Sequence, residues 1–547
     1  MTASDERRQS DSTPRADVAG GAAFVAALAI IAIIAAFMVG YATRDGMGLS
    51  LDSDAYLTAA RQLLRGEGFT LEGIPDPQPL THFPPLYSLL LAGGAKLLAA
   101  DVLVAARVLN VALFGGTVLM VGLILRRGIG LPRAAALVGA AVVAVSVHLL
   151  FIHAMVWSEG LFIFLILLTL GLLGAFLDGH RRSVLIGAVI AASLALLTRY
   201  AGAGLVLAGS VTLLLCGVRT RRQRFADATI FGAISCLPMA AWVLRNIQYT
   251  GSAANRQLAF HPPDAELMEM AVETIAHWFW PSPRNWLMWT GFGAAVTLLA
   301  IAALSARNAR AEGRRSRSDG GEAGGAAGAL AWFSFSYVLF ILTSITLFDA
   351  HSPLDGRILA PLFAAAAIGV IAEFARSSLP PGAGALSRVW PKMLAAIACV
   401  FIAGQSIRIG LWVQQAPELH LGYGTRMWRD SDLVTFVRTI PADVPVYSNG
   451  RAAIHLHTGR VVRPLPGKVN LATRQPHTNF AQRLRALERD LKNRGGYVVF
   501  FTDIRHRTVV QDEELREAMS LEAVYSGRDG DVYRWKARSE KRGDKAR

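Results

Sequence analysis

The sequence predicts an all-α polytopic membrane protein of about eleven transmembrane helices, with interfacial helices in the first outer loop and a small C-terminal α/β domain. Three observations carry that expectation. The chain has 547 residues, 53% hydrophobic and only 17% charged, which is less charge than a soluble protein of this length carries. Apolar runs of about 20 residues recur along the first three quarters, each long enough to cross roughly 30 Å of hydrocarbon, where helices satisfy their own backbone groups. After about residue 413, short buried-strand patterns alternate with amphipathic ones.

The elements follow in chain order. Residues 1–19 form a polar tail of mixed charge, expected on the cytoplasmic side. The first apolar run, about Gly21 to Tyr41, exceeds a signal-peptide core and shows no small-residue cleavage site, so it reads as a retained signal anchor. Spans are expected at roughly 21–41, 102–125, 134–153, 159–177, 183–198, 201–218, 227–245, 286–305, 328–348, 357–375 and 393–412, making 20–412 one transmembrane domain. The fifth and sixth are short and separated only by Thr198 to Gly202. Loop 42–101 holds an amphipathic stretch, Tyr56 to Leu64, and an apolar one, Leu86 to Ala99, both suited to helices in the interface plane. Loop 246–285 carries Trp278-Phe279-Trp280, an interfacial signature. Loop 306–327, rich in Arg, Gly and Ser, reads as a flexible linker.

In the C-terminal part, 413–535, residues 444–448 and 497–502 read as strands, and 429–439 and 479–494 as amphipathic helices. The tail 536–547 is charged.

Arg126, Arg127 and Arg133, then Arg181 and Arg182, then Arg219, Arg221, Arg222 and Arg224 fall on loops that alternate onto one face. Lys and Arg accumulate in cytoplasmic loops, so that face is read as cytoplasmic, and the C-terminal domain as extracytoplasmic, on the inner (plasma) membrane. The formal net charge of +15 has the same topological origin, and no nucleic-acid partner is expected. Cys216, Cys236 and Cys399 all fall in apolar segments without a CxxC or Cys/His cluster, so neither a disulfide framework nor a zinc site is expected.

The ionisable residues are not evenly placed. Asp52, Asp54, His153, Glu159, Arg199, Tyr200, Arg245, Asp349, Asp355 and Arg357 sit at the outer ends of spans, whereas the inner ends hold mostly Arg. Ionisable groups near membrane depth are costly and face cavities, so this accumulation predicts one polar outer chamber. A carboxylate there can take a proton from an acceptor hydroxyl, and guanidiniums can bind a phosphate leaving group bidentately. Asp52, Asp54 and Glu159 are the candidate catalytic carboxylates, and Arg199, Arg245 and Arg357 the candidate phosphate ligands. Tyr56, His82, Tyr87, His153 and Tyr200 are the candidate pocket residues.

Structural readings stand beside these. Asp52 and Asp54 also suit helix caps near Ala55, and Glu159 suits a helix N-terminus. His153 suits a packed, hydrogen-bonded core histidine. The three arginines suit snorkelling, and the aromatics suit interfacial anchors.

Asp52-Ser53-Asp54-Ala55-Tyr56, Ala60-Arg61-Gln62-Leu63-Leu64, Gly66-Glu67-Gly68 and Phe83-Pro84-Pro85-Leu86-Tyr87 together resemble the first outer loop of GT-C glycosyltransferases. The branch they resemble is that of bacterial protein O-mannosyltransferases and lipid A aminoarabinose transferases. Arg107-Val108-Leu109-Asn110, Ser158-Glu159-Gly160, Thr198-Arg199-Tyr200 and Arg357-Ile358-Leu359-Ala360-Pro361 fit the same pattern. The resemblance implies that Asp52, four residues before Tyr56, is the catalytic base, with Ser53 in place of the Glu of the Asp-Glu-x-x-Tyr form. It implies a polyprenyl-phosphate sugar donor, inverting transfer, and a hydroxyl acceptor on a lipid, glycan or protein. No cofactor is firmly implied, although two carboxylates are also the chemistry that holds a divalent cation with water.

Two other classes fit the composition. A transporter or flippase of lipid-linked sugars would need broken helices and repeat symmetry; Pro238 lies mid-span, but no paired interruption or internal repeat is visible. A membrane anchor presenting the C-terminal domain would not need a charged outer chamber.

Overall fold

The computed structural model describes residues 13–73, 78–216, 219–279, 325–349, 352–376, 385–470, 475–504 and 508–536. Helix α1 (Thr13–Ala42) leads into α2 (Leu51–Arg65), a short hairpin of β1 (Thr70–Leu71) and β2 (Gln78–Pro79), and α3 (Leu86–Leu98). The bundle continues through α4 (Val102–Leu123), α5 (Arg133–Ala144), α6 (Val147–Ala154), α7 (Glu159–Gly179), α8 (Arg182–Thr198), α9 (Gly202–Leu215) and α10 (Arg221–Thr250). It closes with α11 (Ala265–Phe279), α12 (Gly325–Leu347), α13 (Gly356–Arg376) and α14 (Ala385–Gln415).

Among the described residues, seven helices are long and apolar enough to cross a membrane, or eight if the bent pair α5–α6 is one span. The chain is thus a multi-pass membrane protein. The count of about eleven is not reached among these residues, for two reasons. Helices α8 and α9, with 17 and 14 residues, rise only about 25 and 21 Å, short of a full crossing. The span expected at 286–305 lies outside the described residues.

The break between α5 and α6 bends the pair by 55°. Ser146 causes the restart, its hydroxyl accepting from the Leu149 amide as a fresh N-cap. The expected span 134–153 is therefore interrupted, whereas α10 runs unbroken through Pro238. Helix α2 also begins earlier than expected. Ser50 and Ser53 form a reciprocal capping box, so Asp52 and Asp54 lie inside the first turn rather than capping a start near Ala55.

Beyond α14 come α15 (Asp432–Thr439), β3 (Val446–Ser448), α16 (Arg451–Thr458), β4 (Arg463–Pro464), α17 (Phe480–Arg494), β5 (Tyr497–Phe501), α18 (Asp512–Ala518), β6 (Leu521–Gly527) and β7 (Gly530–Trp535). The five larger-sheet strands run in the order β4-β3-β5-β7-β6. β3 is parallel to β4 and β5, and β7 is antiparallel to β5 and β6. Strand β5 is apolar throughout because both faces are covered. Val499 and Phe501 pack with Leu433, Val437 and Ile454 on one side; Val498 and Phe500 pack with Leu487, Leu491 and Leu515 on the other.

This sheet region is tied to the bundle by backbone. The Gly48 amide donates to the Ala154 carbonyl at 2.9 Å, and Gly48 accepts from Val156 at 2.8 Å. One residue on, Leu49 donates to Leu421 at 3.0 Å and accepts from Tyr423 at 2.9 Å. The entry to α2 is thus the middle strand of a three-segment ribbon.

Candidate active site

Helix α2 presents Asp52 toward the start of α13. There the Arg357 guanidinium donates through Nη2 to Asp52 and through Nε to Glu159, at the start of α7. Arg357 also lies over the Trp157 ring, 4.6 Å from its centroid. Glu159 is 1% exposed and pairs again with Arg199 at 2.7 Å. Arg199 Nη1 donates to Ser158 Oγ at 3.2 Å, and Ser158 Oγ meets the Tyr56 hydroxyl at 2.9 Å. A continuous chain of polar contacts therefore runs from Asp52 to Tyr56 through three separate helices and a loop. Two carboxylates and two guanidiniums balance in formal charge, which is what burial at this depth demands.

These groups border a cavity of about 530 Å³. Asp52, Tyr56, His82, Arg199, Tyr200 and Arg357 all line it, as the sequence analysis expects of them. Glu159 does not: it lies behind the two guanidiniums and orients them. Burial holds the His82 imidazole below its ordinary value of 6.5, and Arg256 pushes in the same direction. Burial also raises the Tyr56 hydroxyl well above the ordinary tyrosine value. Both groups are accordingly neutral near pH 7.

Other expected site residues stand elsewhere. Asp54 points away from the cavity, where its carboxylate meets His455 Nδ1 at 2.6 Å and Arg451 Nη1 at 3.5 Å, both on α16. Arg245 is not among the residues lining this cavity. It donates to the Leu80 carbonyl at 2.8 Å and the Phe69 carbonyl at 3.2 Å, and lies 4.6 Å from the Trp242 ring centroid, holding the segment around β1 and β2. His153 is fully buried, with Nδ1 at 2.7 Å from the Leu149 carbonyl and its ring against Phe114. Tyr87 is buried edge-on to Tyr56 and donates to Asn110 at 3.4 Å. These two support the wall without reaching the cavity.

Sequence reasoning missed Arg256. It follows α10 in a connecting stretch, pairs with Asp349, lies 5.6 Å from the Tyr200 ring centroid, and lines the cavity opposite Arg357. A single Arg in an irregular loop carries no periodicity that marks it. Asp355 also lines the cavity, accepting from the Arg357 and Ile358 amides at 3.0 and 3.1 Å. Its acidity is weakened by burial. Among the described residues, no three His, Cys, Asp or Glu side chains group as a cation site.

Carboxylates and guanidiniums thus share one cavity beside a helical bundle, and the fold that brings them together is also seen in solved structures of other proteins. The apo structure of ArnT from Cupriavidus metallidurans is similar over 95% of this chain and 98% of its own, at 14% identity and a TM-score of 0.57. The same protein bound to undecaprenyl phosphate is similar over 94% of this chain and 98% of its own, at 13% identity and a TM-score of 0.55. The Archaeoglobus fulgidus oligosaccharyltransferase, in complex with Zn and sulfate, is similar over 92% of this chain and 73% of its own, at 12% identity and a TM-score of 0.53. What is shared is the fold. No family model matches the chain, and neither does any curated protein sequence.

Proposed function

We propose that this chain is a membrane glycosyltransferase that moves a sugar from a polyprenyl-phosphate donor to an acceptor hydroxyl on the outer face of the inner membrane. The observation that carries the reading is the Arg357 bridge between Asp52 and Glu159 at the wall of a cavity that Arg199 and Arg256 also line. The undecaprenyl phosphate bound by ArnT, whose fold this chain shares, supports a prenyl-phosphate donor.

Asp52 is the base. It takes the proton of the acceptor hydroxyl as that oxygen attacks the anomeric carbon, and the bond from that carbon to the phosphate oxygen breaks. The bonding pair leaves with the polyprenyl phosphate, whose charge is met by Arg357, Arg199 and Arg256. A single displacement inverts the anomeric centre. In the unliganded arrangement Asp52 is held by Arg357. A phosphate that draws the guanidinium toward itself releases the carboxylate, which couples donor binding to activation of the base. Glu159 keeps both guanidiniums in place, and Tyr56, His82 and Tyr200 border the sugar. The acceptor is a hydroxyl of a lipid, glycan or protein.

In this reading 20–412 is the catalytic membrane domain, with an outer loop at 42–101, and 413–535 is an extracytoplasmic α/β domain, between a cytoplasmic N-terminal tail and a charged C-terminal one. Sugar transfer from a polyprenyl-phosphate donor in membranes bearing the chain is the test, with Asp52→Asn as its control. Loss of transfer in a folded variant supports the assignment; full activity overturns it. Movement of the lipid-linked sugar across vesicles without bond formation supports a flippase instead.

A further inference from the structure

A second cavity, of about 300 Å³, lies on the far side of Gly356 from the first; Val147, His148, Trp278, Arg408 and Trp412 help to line it. Arg408 is the unusual member. It lies in α14, seven residues before Gln415 and so about 10 Å below that helix end, within a segment apolar enough to span. Its guanidinium donates to Gln405 Oε1 at 3.1 Å, and among the described residues it forms no ion pair. A charge at membrane depth faces a cavity and finds a counter-charge. Here the cavity is present, and no carboxylate among the described residues pairs with the guanidinium.

One further donor on this cavity has no partner among the described residues. Trp278 is 7% exposed, and its Nε1–H is buried without an acceptor there. His148 bonds the Gly356 backbone through its ring. Buried polar atoms are normally satisfied, so an orphaned donor and an uncompensated guanidinium around one space point to a ligand rich in acceptor oxygens and negatively charged. His148 stands in the first turn of α6, whose positive dipole end also favours an anion. Gly356 permits the close approach of this ring, because a Cβ there would sit 2.4 Å from His148 Cε1. The flanking residues Ile407 and Leu411 are exposed and apolar, as lipid-facing residues are. The apolar wall at Trp412 and the depth of Arg408 match an amphiphile rather than a free ion.

We propose that this cavity binds the phosphate headgroup of an anionic membrane lipid, which enters from the bilayer beside α14, apart from the donor site at Arg357. Phosphatidylglycerol and a polyprenyl phosphate both offer that headgroup. The full-length protein, incubated separately with phosphatidylglycerol, undecaprenyl phosphate and diacylglycerol, is read by native mass spectrometry as bound lipid per chain. This readout does not depend on sugar transfer. The wild type is expected to retain a phosphate-bearing lipid over diacylglycerol. In the undecaprenyl phosphate arm, the copy at issue is the second one bound.

Arg408→Gln should weaken that retention about tenfold, the size of one charged hydrogen-bonding contact. Trp278→Phe, which removes only the indole donor, should weaken it severalfold. A shift confined to phosphatidylglycerol assigns the site to bulk phospholipid. A shift confined to the second undecaprenyl phosphate assigns it to a second prenyl carrier. Equal retention of both lipids by wild type, Arg408→Gln and Trp278→Phe overturns the proposal. If Arg408→Gln does not fold, Trp278→Phe decides.

Discussion

Arg357 donates to Asp52 across 305 positions of sequence, joining the first turn of α2 to the first turn of α13. With Glu159 on its other edge, the guanidinium is held in place without being consumed: each carboxylate contact can be exchanged for a phosphate oxygen.

Asp52→Asn keeps the shape of the side chain and an acceptor for Arg357 but removes the proposed base. Transfer should fall by about 10²–10⁴-fold, the usual contribution of a general base, while the thermal unfolding temperature stays near that of the wild type. Initial rates and a melting curve on the same preparation check both halves. A large drop in melting temperature would instead make Asp52 a structural anchor.

Arg256→Gln and Arg245→Gln should behave differently although both remove a guanidinium. Arg256 lines the cavity, so its loss should raise the KM for the donor about tenfold or more. Arg245 holds the Leu80 and Phe69 carbonyls, so its loss should lower the melting temperature with a smaller effect on KM. Donor titrations and melting curves on both variants separate the two roles.

Glu159→Gln leaves Arg199 and Arg357 facing each other without their shared buried anion. Removing one partner from a buried ionic network costs about 3 kcal/mol, so this variant should be the least stable of the site substitutions. Chemical denaturation in detergent against Asp52→Asn gives the comparison. Equal stability of the two would mean that Glu159 does not set the guanidiniums.

His82 titrates below 6.5 in the folded protein, because burial disfavours its cation and Arg256 repels it. The unfolded chain therefore binds the proton first. Stability from the neutral ring is fully present above 6.5 and is lost as pH falls below that value. The melting temperature should decline between pH 7.5 and 5.5, and His82→Gln should flatten part of that decline.

Asp54→Asn should loosen α16 from α2, since the buried carboxylate is what His455 and Arg451 share. Amide exchange should rise at 451–462 while α15 and β5 stay protected. Unchanged exchange there would leave the docking to backbone and apolar contacts alone.

Much of this is legible in the sequence because membrane depth makes polar residues conspicuous. Asp52, Glu159, Arg199 and Arg357 all interrupt or bound apolar runs, and all four meet in one network. The same signal does not tell where Arg245 goes: it bounds an apolar run in the same way as Arg199 but turns to cover Trp242 and two loop carbonyls. Nothing local separates the two; the difference lies in which loop packs overhead. Asp54 misleads for a related reason. It is two residues from Asp52, so a helix turns it some 200° away, onto the sheet region. Arg256 is invisible because loops have no period. In the sheet region, β5 announces itself by an unbroken apolar run, while β6 has no buried residue and β7 breaks its apolar pattern with Asp531 and Arg534.

The ribbon at Gly48 and Leu49 bears on how the protein could be shortened. Leu49 spends its amide and its carbonyl on Leu421 and Tyr423, beyond the last helix of the bundle. A chain trimmed at Gln415 would strip one edge from the strand that launches the Asp52 helix, leaving two main-chain groups to find water. Any minimal version should therefore keep the stretch through Tyr423, so that the strand retains both neighbours when the rest of the sheet region is gone.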